Sequence, residues 1–150
     1  MQKLHFPQPD LRVRSTVAGY EVWDVVRKKW VVLTPEEWVR QHLLHFLATE
    51  RGWSLALMAV EKTLRYNSLT RRADLVAFNS SMQPLLLAEC KAPDVVINQS
   101  VLDQAALYNR AMNVNYILVT NGLHTACCRV RAADGSYDWL NDIPFGNSES

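Results

Sequence analysis

The sequence predicts an α/β sandwich: a mixed central sheet with helices covering both faces. Three observations carry that prediction. A capped amphipathic helix begins at Thr34-Pro35-Glu36-Glu37, two apolar runs around residues 73–78 and 85–91 are joined by a turn, and a second helical stretch leads into the wholly apolar Tyr116-Ile117-Leu118-Val119.

The elements follow in order. Residues 1–19 are polar, hold Pro7 and Pro9, show no periodicity, and read as an N-terminal arm. Glu21 to Val32 reads as a short β-hairpin turning at Arg27-Lys28-Lys29. Thr34 then has the position of an N-cap, with Pro35 at the first helical position and Glu37 at the third, a capping box. Val39, Leu43, Phe46 and Leu47 recur at helical spacing, and Gly52 ends the helix. Leu55 to Leu64 reads as a strand. The 73–78 and 85–91 runs form an antiparallel hairpin around Asn79-Ser80-Ser81-Met82-Gln83-Pro84. Ala92-Pro93 breaks the second strand, a helix is expected over Gln99 to Met112, Tyr116 to Thr120 is a buried strand, and Asn121-Gly122 turns the chain into Thr125 to Val130. Residues 131–150 form a C-terminal extension, so one domain over 1–150 is expected with its core at 20–130.

Composition narrows the functional classes. Apolar residues make up 49% and charged residues 21% of the 150, ordinary for a packed globular chain. The net charge of +1 gives no global case for nucleic acid, so any such case rests on local clusters: Arg12 with Arg14, Arg27-Lys28-Lys29, and Arg71-Arg72. Each of these alone also reads as a solvated basic turn. The N-terminus lacks the apolar stretch of a signal peptide and no run approaches a membrane span, so a cytoplasmic protein without a membrane partner is expected. Three cysteines without a CxxC pair form no disulfide framework or zinc site, and the four histidines are scattered. Trp23, Trp30 and Trp38 are expected to pack the N-terminal hairpin against the first helix.

The chemistry concentrates at one end of the 73–91 hairpin. If Phe78 faces Leu85 at its closed end, Asp74 lies opposite Glu89, with Cβ atoms about 5 Å apart. Two carboxylates at that distance suit a shared hard cation, and Lys91, two residues beyond Glu89, points to the same face. A solvated strand end is the bland alternative, and a one-residue slip would put the two carboxylates on opposite faces. Gln104 and Tyr108, four apart, share a face of the second helix, which starts just after Lys91.

Asp, then Glu-x-Lys on the next strand, then Gln-x-x-x-Tyr on the following helix resembles the pattern of PD-(D/E)XK nucleases. The closest resemblance is to the N-terminal nuclease domain of type I restriction enzyme restriction subunits, here as a stand-alone domain. It is carried by Leu33-Thr34-Pro35-Glu36-Glu37-Trp38-Val39-Arg40-Gln41, Arg72-Ala73-Asp74-Leu75-Val76, Leu87-Ala88-Glu89-Cys90-Lys91-Ala92-Pro93, Asp103-Gln104-Ala105-Ala106-Leu107-Tyr108-Asn109 and Val119-Thr120-Asn121-Gly122. It implies a restriction-endonuclease-like αβα sandwich preceded by a short N-terminal β-hairpin, and a Mg²⁺- or Mn²⁺-dependent DNA endonuclease. By the same resemblance Asp74 and Glu89 bind the metal, Glu37 or Glu36 reaches toward it, and Lys91 activates water or stabilises developing charge. Gln104 and Tyr108 then support the site or contact the DNA backbone, where Arg71 and Arg72 hold flanking phosphates. No P-loop is present, so no nucleotide cofactor is expected. A homodimer or larger assembly is expected, because one site cuts one strand. The rival reading is a non-catalytic nucleic-acid-binding or assembly module on the same fold.

Overall fold

A computed structural model describes residues 1–66, 68–131 and 133–146, with residues 66, 69 and 108–112 described by backbone alone. A three-stranded antiparallel sheet comes first: β1 (Val13–Thr16), β2 (Gly19–Asp24) and β3 (Lys29–Val32). The expected arm therefore contributes a strand of its own. Val13 to Thr16 are all exposed, so nothing in their polarity alternates, and their pairing with β2 is held by backbone register and by the Arg14–Glu21 ion pair. The rest of the arm is also tied down: Leu4 is buried and His5 N donates to Gly122 O at 2.7 Å.

Helix α1 (Pro35–Glu50) starts where the capping box places it, with Thr34 Oγ1 accepting from Glu37 N at 3.0 Å. A short 3₁₀ turn over Leu55–Leu57 delays the next strand, so β4 runs Met58–Tyr66. Then come β5 (Leu69–Phe78), β6 (Pro84–Cys90), α2 (Gln99–Met112), β7 (Tyr116–Thr120), β8 (Thr125–Val130) and β9 (Tyr137–Leu140), the last a strand inside the expected C-terminal extension. These six strands form one sheet in sequence order, antiparallel except for the parallel pair β6–β7, and α2 makes the crossover that a parallel pair requires.

Alternation along the strands separates two cores. Leu75, Ala77, Leu86, Ala88 and Leu118 pack with Val39, Leu43 and Leu47 of α1, whereas Val76, Leu87, Ile117 and Val119 pack with Ala105 of α2. That is the mixed α/β sandwich, with a helix on each face. The central hairpin keeps its expected register through Leu75↔Ala88, Val76↔Leu87 and Ala77↔Leu86. Only its closed end differs: a bulge between Ala77 and Phe78 pairs Phe78 with Pro84 instead of Leu85. That irregularity lies on the turn side, and Asp74 and Glu89 come one residue beyond the last regular pair, Leu75↔Ala88.

Candidate active site

At the open end of the hairpin the alternation of β5 fails. Ala73 and Val76, three residues apart, pack in the same α2-side core, and the intervening step falls at Asp74. On the neighbouring strand, between the pairs Val60↔Leu75 and Lys62↔Ala73, Glu61 takes the left-handed conformation at φ 55°. A non-glycine residue rarely adopts this backbone, and here it lies beside the carboxylates. Arg71 faces α2, lining a 290 Å³ cavity with Glu89, Lys91, Gln104, Ala105 and Leu107, while Arg72 pairs with Glu61 instead.

Within this cluster Asp74 and Glu89 differ in their partners. Asp74 Oδ2 accepts from the backbone N–H of Cys90 at 2.7 Å, and its Oδ1 lies 3.7 Å from Arg40 Nη1. Glu89 Oε1 is buried with no hydrogen-bond partner. Burial, then the Asp74 charge and a hydrogen bond with Asp74, hold the Glu89 carboxyl well above the usual carboxylate range, against the opposing pull of Lys91. Burial and the Asp74 charge also raise Glu36, at the start of α1. Three carboxyl groups therefore crowd one end of the sheet, with Lys91 acting on both Glu36 and Glu89.

Glu37 has a different setting from the one the sequence suggests. It is 4% exposed, and its carboxylate accepts from Arg27 Nη2 at 2.7 Å, Arg40 Nε at 2.9 Å and Gln41 Nε2 at 3.1 Å. Burial alone would raise it, but the arginine hydrogen bonds and charges outweigh that and hold it at about 2. With both oxygens engaged, Glu37 has nothing left for a cation. Of the two alternatives on α1, it is Glu36 that feels Asp74. Arg40 and Glu61 emerge as parts of the cluster that the sequence did not single out. Arg40 is 5% exposed and lies among Glu37, Glu61 and Asp74.

The α/β order, the capped first helix and the Asp–Glu-x-Lys hairpin are matched by a family. The family described as "Type I restriction enzyme R protein N terminus" matches residues 35–144. The chain belongs to this family. Among solved structures, the fragment of a putative HsdR subunit of a type I restriction enzyme from Vibrio vulnificus YJ016 has a similar fold, with a TM-score of 0.55 and 19% identity. That likeness covers 77% of this chain and 24% of the fragment, so the chain spans about a quarter of that molecule. No curated protein matches it.

In this member of the R protein N-terminus family, the matched segment contains each carboxylate of the site, Lys91 and Gln104. The side chain of Tyr108 lies outside the described residues. Among those described, no three His, Cys, Asp or Glu side chains form a ready metal cluster. The donor set is instead two carboxyl groups, one with an orphaned buried oxygen, a combination that fits a hard divalent cation completing its shell with water and phosphate oxygens. All three cysteines are free and buried. Trp23 and Trp30 meet edge to face with Arg12 and Arg14 over the rings, and Trp38 packs on His42. The tryptophans thus divide between the N-terminal sheet and the first helix. No helix among the described residues is long and apolar enough to cross a membrane.

Proposed function

We propose that the chain is a DNA endonuclease-like phosphodiesterase of the PD-(D/E)XK type that depends on Mg²⁺ or Mn²⁺. The observation that supports this most is the buried Glu89 carboxyl beside Asp74, its Oε1 without a partner and Lys91 lining the same cavity as Glu89. Two carboxyl groups that repel when both are charged gain from a divalent cation between them. When bound, such a cation neutralises a phosphate oxygen and lowers the pKa of a coordinated water. Asp74 and Glu89 hold it, with Glu36 close enough to add to the field. Lys91 supplies a fixed positive charge where the pentacovalent phosphorus gains negative charge, or orients the attacking water. Gln104 borders the same cavity and is placed to position that water or the phosphate. Arg71, on the cavity wall, takes a flanking phosphate. Arg72 is tied to Glu61 and would reach DNA only by leaving it. Each site cuts one strand at a time, so a concerted double-strand cut calls for two copies or a larger assembly.

The test is cleavage of duplex, single-stranded and branched DNA with Mg²⁺, Mn²⁺ or EDTA, beside Lys91→Ala. Metal-dependent cutting lost in the variant supports the reading. Binding of DNA without cutting under any metal favours the non-catalytic module.

A further inference from the structure

We propose that Arg40 is the positioning residue for Asp74, orienting its carboxylate so that the Asp74–Glu89 pair meets a metal ion as one preformed site. The inference rests on the reading of that pair as a metal site and adds to it a side chain from the opposite element.

A guanidinium 5% exposed must be neutralised, and Arg40 is surrounded by three carboxylates. Its fork divides the work. Nε and Nη2 are fixed on Glu37, and Nη2 also lies 3.4 Å from Glu61 Oε1. That leaves Nη1 directed at Asp74 Oδ1 at 3.7 Å, while Asp74 Oδ2 is held by Cys90 N. One oxygen is thus held by the backbone of β6, and the other faces the guanidinium of α1. Glu37 is itself held by Arg27, which binds Asp24 at the end of β2. The chain of contacts Asp24–Arg27–Glu37–Arg40–Asp74 braces the site against the N-terminal sheet. Only a planar fork can hold Glu37 and face Asp74 together; an ammonium at the same place is a point charge.

Charge and positioning make different predictions for Arg40→Lys, which keeps the positive charge and loses the fork. A role through charge alone leaves metal binding unchanged. If Arg40 positions Asp74, disturbing it should loosen binding, by about tenfold to a hundredfold as for other groups that orient metal ligands.

Mn²⁺ binding, followed by electron paramagnetic resonance and calorimetry, is measured on wild type, Arg40→Lys and Arg27→Lys, with thermal unfolding of each. Arg27 touches Asp24, Glu37 and Glu61 but makes no ion pair with Asp74, so Arg27→Lys reports general loosening. The expected result is weaker Mn²⁺ binding in Arg40→Lys alone, with Asp74 turned off Cys90 N in its metal-free crystal structure. Unchanged or tighter binding in Arg40→Lys, or equal weakening in both variants, overturns the inference while leaving the metal site standing. No Mn²⁺ uptake by wild type sinks the site and the inference together. If Arg40→Lys does not fold, the neutral pair Glu37→Gln with Arg40→Gln replaces it under the same criteria.

Discussion

Asp74 Oδ2 accepts from Cys90 N at 2.7 Å across the β5–β6 hairpin, whereas Glu89 Oε1, facing the charge of the same Asp74, is buried without a partner. The asymmetry leaves Glu89 with a buried oxygen without a partner and two acidic neighbours, which hold its carboxyl above the usual carboxylate range.

A stability prediction follows for the metal-free protein. The folded pKa of Glu89 stands above its unfolded value of 4.5, so its contribution is fully present below that value and is lost as pH rises through the folded pKa. Glu89→Gln keeps the shape and cannot ionise. In EDTA the variant should therefore gain stability over wild type as pH rises above 4.5, while losing Mn²⁺ binding. Thermal unfolding across pH checks this, and parallel curves for the two proteins would contradict it.

Glu37 predicts the opposite pH trend. Its folded carboxyl is held at about 2, so its stabilisation is present above the unfolded value of 4.5 and fades as pH falls through 2. Glu37→Gln leaves the buried Arg40 and the half-buried Arg27 without their shared counter-charge, a change expected to cost about 3–5 kcal/mol at neutral pH. Urea unfolding should show that loss at pH 7 and convergence of variant and wild type in acid. An equal gap at every pH would mean the loss is not electrostatic.

Local signals explain how much of this was legible in the sequence. Thr34, Pro35 and Glu37 fixed the start of α1 because capping is decided within four residues. The ends of α2, β7 and β8 fell where periodicity and Asn121-Gly122 put them. The hairpin register was legible as far as Leu75↔Ala88 because the turn sets it, and Asp74 acts on Glu89 just beyond that pair. Strand β1 was hidden because its four residues are all exposed, and β9 because Tyr137 to Leu140 is short and half exposed, with no apolar run. Arg40 carried no signal of its own in the sequence. Its burial depends on Glu61, twenty-one residues later, and on a left-handed strand residue that no propensity announces.

The N-terminal segment supplies a further test, since Leu4 is 3% exposed and sits against Gly122. A Cβ at residue 122 would come within 2.7 Å of Leu4 Cδ2, and φ there is +86°, so the glycine permits both the turn and the contact. Leu4→Ala should cost about 2–5 kcal/mol, as for other buried leucines. Denaturant unfolding measures it, and a change within a few tenths of a kcal/mol would show that the segment contributes nothing to the core.

Lys91 separates chemistry from folding. Its backbone N–H donates to Thr120 O at 2.8 Å, a bond that Lys91→Ala retains, and its side chain faces the cavity, so truncation leaves no void in either core. Asp74 and Glu89 keep each other and the cation as partners. The loss should fall on the transition state, where removing one electrostatic donor costs on the order of 10²–10³ in rate. Cleavage rate, Mn²⁺ affinity and unfolding temperature are therefore measured on the same preparation. The expected outcome is a rate lowered by that factor with the other two nearly unchanged. A variant that cuts as fast as wild type removes Lys91 from the chemistry. One that loses metal and stability together would make the lysine a structural counter-charge for Glu89.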